Sequence, residues 1–382
     1  MDTQPQRAVF ICEKGIHISS IARELISKGW ECSALTTPGS SLTRVAGLEK
    51  LHIIEKNQNF IATVLANYQD LLFSSDFISF SSDDHLSEVV QSSLSTLEKE
   101  VILPISTDIG LSMMASKVGF TRAIHQLGLR TPLTEIYRSP DELIELSQRF
   151  PLPAIAKADA GGGGVSVLRL DIPLSSTDGL HDLAPGVIQE FVEFPVIGVE
   201  ALFNNGRLAA WMYCDNQETI TPFAPSTVRH YGAPLALDFV EQLQTLGEAT
   251  GAHGFANCSF FYSPDEKVHY IFECDLRASH WARLFPYFGI DVAALLAPSW
   301  SGEIATPKLS RGGKTVIHFS RLLTASANKR DGRTFMRTLL RYRCSSDFLA
   351  GEGRFFAVAA PIALKFLPER IKPFLKSLRR YI

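Results

Sequence analysis

Gly161–Gly164 are four glycines in a row. No helix or strand interior holds such a run, since each glycine costs up to about 1 kcal/mol relative to alanine inside a helix. The run is therefore a loop. It lies between two short apolar stretches of strand length, Pro153–Ala158 (PAIAKA) and Val165–Leu170 (VSVLRL), so the unit reads as a strand, a glycine loop and a second strand. A bare backbone of this kind is either a flexible tip or a cover whose N–H groups close over phosphates. Lys157 favours the second reading. It interrupts a strand of Ala and Ile, where a lysine must reach solvent or meet an anion.

The rest of the chain supports a globular α/β protein. With 382 residues it holds several domains, and at 46% apolar and 20% charged it has ample material for a core, which excludes disorder throughout. A net charge of −3 argues against a nucleic-acid partner. The N-terminal stretch lacks the charged-then-apolar pattern of a secretory signal. The six cysteines are scattered, with neither metal-site nor disulfide-frame spacing. Both features fit a cytoplasmic protein.

The first hundred residues alternate strand and helix. Arg7–Cys12 and Glu31–Leu35 read as strands around a helix at Ile18–Lys28, Phe77–Phe80 as a further strand, His85–Glu100 as a helix, and Val101–Pro104 as a strand. This order implies an open parallel sheet. The first turn has one glycine and not the dinucleotide pattern. Ser116–Leu127 reads as a helix, and Asn205-Gly206 as the turn of a hairpin. We expect domains at 1–105, 106–185, 186–301 and 302–382.

A second constellation lies in Gly254–Arg277, which reads as two antiparallel strands joined at Ser263–Lys267. The second strand ends Glu273-x-Asp275-x-Arg277, so a period of two puts those side chains on one face. Two carboxylates and a guanidinium gathered there are costly unless an ion or ligand balances them. The alternatives are a surface ladder of ion pairs or a site for magnesium with phosphate, the guanidinium holding a phosphoryl group.

Together these segments resemble the ATP-grasp superfamily over roughly residues 5–300. The resemblance implies an α/β fold: an N-terminal open parallel-sheet domain followed by two lobes that clasp ATP. It implies an ATP- and magnesium-dependent ligase, with manganese as an alternative ion, that activates a carboxylate as an acyl phosphate and joins it to an amine. Ser116-Lys117, followed by GLRTP, looks like the family's first nucleotide lysine. Lys157 looks like the second, and Gly161, Gly162, Gly163 and Gly164 like the mobile loop. Gln189, Glu190 and Val192 look like the hinge strand at adenine, with Glu193 or Glu200 near the ribose. Glu273 and Asp275 match the metal ligands, and Arg277 the stabiliser of the transferred group.

Two positions depart from the pattern. Asp275 stands where Asn is usual, and Ser259 where an acidic or amide ligand is usual, with Asn257 a substitute on the same face; the metal count is therefore open. Arg229, His230, His280 and Arg283 are candidates for the carboxylate substrate. Two alternatives remain: a kinase or carboxylase of the same fold, or a nucleotide-binding regulatory protein with a decayed metal site. Small-molecule carboxylates and amines are the implied partners, nucleic acid is not one, and a homo-oligomer is left open.

The resemblance does not reach the C-terminus. From Lys308 onward there are 17 Lys/Arg against four acids, whereas the first 307 residues hold 20 bases and 36 acids. Apolar residues Leu367, Ile371, Phe374, Leu375, Leu378 and Ile382 recur at helical spacing opposite Lys372, Lys376, Arg379 and Arg380. Such a helix either docks on the acidic body or forms a surface anchor for an anionic membrane or an acidic carrier protein. The membrane in question would be the inner membrane surface, with the protein peripheral on it. Residues 365–382 carry six bases and one acid, so the electrostatic attraction to anionic lipid reaches about 5 kcal/mol. An anchor gives sedimentation with anionic but not neutral vesicles at low salt, lost on deleting residues 368–382. A deletion that leaves the protein insoluble identifies a core helix instead.

Overall fold

The structure, a computed structural model, describes residues 5–13, 16–55, 59–161, 164, 166–220, 223–309, 313–318, 321–322, 326 and 332–342. Gly162, Gly163 and the amphipathic stretch at 367–382 lie outside the described residues. The chain divides into two compact units. One comprises Met1–Tyr213 with Pro234–Lys308, the other Cys214–Ala233 with Leu309–Ile382.

The first unit opens with a parallel sheet. Its strands are β1 (Arg7–Cys12), β2 (Glu31–Thr36), β3 (Lys50–Ile53) and β4 (Phe77–Phe80), in the order β3-β2-β1-β4. β1 and β4 are almost wholly buried, as parallel strands covered on both faces are. The parallel sheet expected for this region is present. β3, a four-residue and mostly exposed alternation of polar and apolar side chains (KLHI), was not expected. The expected strand at Val101–Pro104 is absent. Ser95 and Glu98 form a capping box that starts a helix at Thr96–Ile102, which absorbs Val101.

A second, antiparallel sheet contains β5 (Thr134–Tyr137), β6 (Ala154–Ala158), β7 (Val167–Leu170) and β8 (Gly186–Glu190), ordered β5-β8-β6-β7. Its own core, including Tyr137, Leu143, Leu146, Ala156 and Ile188, lies under the helix Pro140–Arg149. The glycine loop joins β6 to β7, with Ala158 N–H donating to the Ser166 carbonyl at 3.1 Å.

The third sheet is built from β9 (Val196–Asn204), β10 (Arg207–Glu218), β12 (Gly254–Ser263) and β13 (Val268–Asp275), with β12 between β9 and β13. Asn205-Gly206 forms the turn between β9 and β10, both residues at positive φ. One continuous core joins this sheet to the N-terminal one, from Val9, Ile11 and Phe80 to Phe203, Phe239, Phe260 and Ile271. Within it Tyr213 Oη lies 2.9 Å from His269 Nε2, and His269 Nδ1 lies 2.6 Å from Asp238 Oδ1. This chain of bonds ties the helix Asp238–Thr250 to β13.

In the second unit, β11 (Val228–Tyr231) pairs with the end of β10 and with β14 (Lys314–Ile317). A helix at Gly332–Tyr342 is the last described element. Among the described residues no helix is long and apolar enough to cross a membrane.

Two glycines mark close backbone approaches. A Cβ at Gly119 would overlap the Ser112 carbonyl, and one at Gly186 would overlap the Lys157 carbonyl and the Tyr137 hydroxyl. Gly119→Ala gains about 1 kcal/mol of helix propensity. It loses about 1–3 kcal/mol to overpacking against backbone that cannot turn aside. The expected outcome is a lower urea midpoint at unchanged slope; a midpoint at or above wild type would show that the helices Asp108–Met113 and Lys117–Gln126 can separate.

Candidate active site

Lys157 is half-buried on β6, where the alternation of Ala and Ile fills the core on one side and leaves the lysine on the other. Its Nζ donates to Gln189 Oε1 at 2.8 Å, and Gln189 Nε2 donates to Thr134 Oγ1 at 2.9 Å. The three residues come from β6, β8 and β5, so the lysine is held across the sheet. Burial pushes the Lys157 ammonium down to about 8; Glu273 resists this and the charge of Lys117 adds to it.

Lys117 heads the helix Lys117–Gln126 and reaches the loop, donating to the Gly161 carbonyl at 2.6 Å. The helix start is already satisfied. Gly119 N–H donates to Ser116 Oγ at 2.9 Å, Val118 N–H to Asp159 Oδ1 at 2.8 Å, and Lys117 N–H to the Asp159 carbonyl at 3.2 Å. Those amides are used internally, so the cationic amines are the donors left for an anion.

β12 and β13 supply the carboxylates. Glu200, Asn257 and Asp275 stand opposite one another on β9, β12 and β13, and Gly198, Ser259 and Glu273 form the next such row. A bulge at Phe272 sets this face: Ser259 pairs with Glu273 while Phe260 pairs with Ile271. The extra residue shifts the phase of β13, bringing Glu273 and Asp275 to the side that Tyr270 and Phe272 occupy. Phe272 stacks on Phe261 with ring centroids 4.3 Å apart, and Lys157 Nζ lies 5.1 Å from the Phe272 ring centroid. The ammonium of the second sheet thus meets the carboxylate strand of the third. On the reverse face Cys258 and Cys274 bring their sulfurs within 3.2 Å.

Burial raises the Asp275 carboxyl to about 7; Arg277 opposes the shift, while Asp83 and Glu273 reinforce it. Arg277 lies just beyond β13. Its Nη2 donates to Asp275 Oδ2 at 3.1 Å and also to Asp83 Oδ2, and its Nε donates to Asp83 Oδ1 at 2.6 Å. Burial works against the charge of Arg277, and Asp275 and Asp83 more than restore it.

The remaining candidates are dispersed. Glu190, at the end of β8, and Glu193 are exposed, and Val192 is half-buried. Glu200 is fully buried and accepts from the Ser279 hydroxyl at 2.7 Å. Gly161 is exposed and Gly164 half-buried. The His280 ring lies 4.3 Å from that of His17, and Arg283 is buried in a short turn. Arg229 and His230 belong to the second unit. There Arg229 Nε donates to Gln217 Oε1 at 3.2 Å and Ser226 Oγ at 3.1 Å, and His230 Nδ1 lies 2.8 Å from Thr315 Oγ1. Sequence reasoning missed Asp83, Asp159 and Phe272. Asp159 carried a signal, standing two residues beyond Lys157, whereas Asp83, ahead of the helix expected at His85–Glu100, carried none.

Among the described residues no three His, Cys, Asp or Glu side chains gather as a metal site. Two carboxylates beside two amines suit a different ligand set: a magnesium ion that completes its shell with phosphate oxygens held by lysines. The raised Asp275 carboxyl supports the fit, because a cation there would favour the carboxylate that burial, and then the charges of Asp83 and Glu273, disfavour.

No protein-family model matches the chain, and no curated protein matches it in sequence. Solved structures do. N5-carboxyaminoimidazole ribonucleotide synthetase from Thermus thermophilus is 13% identical, with a TM-score of 0.59 over 84% of this chain and 86% of that one. Phosphoribosylamine–glycine ligase from Thermotoga maritima is 18% identical, at 0.56 over 79% and 78%. L-amino acid ligase from Bacillus licheniformis is 16% identical, at 0.53 over 79% and 76%. The chain has the ATP-grasp fold that it shares with these proteins.

The Lys157 environment is directly measurable. After reductive 13C-methylation, its NMR signal should titrate with a midpoint near 8, against about 10.4 for ordinary lysines. Glu273→Gln removes the charge that favours the ammonium, so the midpoint should fall further. A rise on that substitution would place Glu273 outside the lysine's field.

Proposed function

We propose that this chain is an ATP- and magnesium-dependent ligase forming carbon–nitrogen bonds and releasing ADP and inorganic phosphate. The carrying observation is the meeting of Lys117, Lys157 and the glycine loop with Glu273 and Asp275 in an ATP-grasp fold. A small-molecule carboxylate would take the terminal phosphoryl group of ATP, forming an acyl phosphate; an amine then attacks the acyl carbon and phosphate leaves.

In this reading Lys157 and Lys117 hold phosphate oxygens, Lys157 being oriented by Gln189. The loop from Gly161 to Gly164 closes over them and excludes water from the labile acyl phosphate. Glu273 and Asp275 would hold magnesium, which supplies charge neutralisation at the phosphates. Asn257 and Ser259 lie on the same face as further oxygen donors. Arg277 offers N–H donors to the oxygens of the group in transfer. Glu190, Val192 and Glu193, on the connection that leaves β8, are assigned to the adenosine end. The buried Glu200, in one row with Asn257 and Asp275, is assigned to holding Ser279, and the acceptor end falls to His280 and Arg283. The neighbours named above as ligases support the C–N assignment.

A nucleotide-binding regulator is the second reading, favoured by Ser259 standing opposite Glu273. Turnover separates the two. With a library of acids and amines, chromatography should show ADP and phosphate formed only when both substrates are present. AMP with pyrophosphate would remove the mechanism, and ADP with a stable phosphorylated or carboxylated product would identify a kinase or carboxylase. Glu273→Gln should lower kcat by about a hundredfold, the scale of a preorganised electrostatic contact. Activity near wild type in that folded variant would overturn the metal assignment.

A further inference from the structure

The guanidinium of Arg277 carries five N–H donors in a fixed plane. Three of them are committed. Nε and one N–H of Nη2 fork onto the two oxygens of Asp83, and the second N–H of Nη2 reaches Asp275 Oδ2 at 3.1 Å. The two donors of Nη1 have no partner among the described residues. A bidentate fork fixes both the position and the plane of a guanidinium, which a single contact does not.

Asp83 comes from a distant part of the chain, 194 residues from Arg277. It opens the helix Asp83–Gln91 directly after β4. The helix start does not need it. Ser82 is the N-cap, its Oγ accepting from Asp84 N–H at 3.2 Å, and Asp84 also places an acid in the first turn. Both Asp83 oxygens turn away from the helix to the guanidinium. That pair is largely removed from water, with side-chain exposures of 18% for Arg277 and 29% for Asp83.

We infer that Asp83 is the positioning residue of the phosphate end of the site: its carboxylate locks the Arg277 plane so that Nη1 faces the terminal phosphoryl group. This rests on the ligase reading, and on Asp83 preventing a specific collapse. Without its fork, Arg277 has only Asp275 to pair with, and would cover a carboxylate that the site needs for its cation. Asp83 acts as a positioning residue through its two-point contact with Arg277.

Calorimetric titration with magnesium and either ADP or the non-hydrolysable analogue AMP-PNP tests this. Asp83→Asn should weaken AMP-PNP about tenfold, the scale of one charged hydrogen bond, and leave ADP within about twofold. Asp84→Asn, which alters the same helix start, should leave both affinities unchanged. In an Arg277→Lys background Asp83→Asn should have no further effect, since the two residues act as one unit. Equal losses for both nucleotides, or full additivity with Arg277→Lys, overturn the inference. Asp83→Ser replaces Asp83→Asn if the latter does not fold, with the same outcomes decisive. Should the wild type bind neither nucleotide, the ligase reading falls. Inorganic tripolyphosphate then becomes the probe: weaker binding by Asp83→Asn supports the positioning role, and identical behaviour of the two proteins, including no binding by either, overturns it.

Discussion

Carboxylates at the end of a half-buried strand cannot remain without counter-charge, and much of the surrounding structure answers that demand. Glu273 and Asp275 share one side of β13, close enough for the charge of Glu273 to disturb Asp275. Lys157 approaches from the second sheet, over the Phe272 ring. Arg277 arrives from the following residues and brings Asp83 from the N-terminal sheet with it. Residues of two sheets and of the helix after β4 therefore meet at one electrostatic problem.

The helix carrying Lys117 shows how donors are allotted. A free helix start is a ready anion site, yet Ser116 and Asp159 consume its first amides. The donors left there are side chains, and the Lys117 amine reaches the Gly161 carbonyl. Gln189 and Thr134 give Lys157 the opposite character, a lysine fixed across three strands. One amine is tethered to the loop and the other to the sheet.

Periodicity made the main elements legible. β1, β4 and the turn at Asn205-Gly206 stand where the sequence pattern puts them, because apolar runs and turn chemistry are local signals. The hairpin of β12 and β13 was also readable. Its bulge was not. A simple period of two does put Glu273 and Asp275 together, but it gives no sign that Phe272 joins them, since the extra residue is defined only by the partner strand. β3 escaped because it is only four residues long and mostly exposed, and Val101 was misread because a capping box outweighs β-propensity. Asp83 could not be seen at all, for nothing local links it to an arginine on another sheet.

Gly119 and Gly186 have a consequence for tracing descent. The neighbours of this fold are 13–18% identical to the chain, a level at which apolar residues exchange freely while volume and pattern persist. A hydrogen atom has no smaller substitute. Any sequence that keeps the Ser112 carbonyl against the Lys117 helix, and Tyr137 against β8, must keep glycine at both places. In a remote homologue these two silent positions would anchor an alignment more firmly than the charged residues of the candidate site.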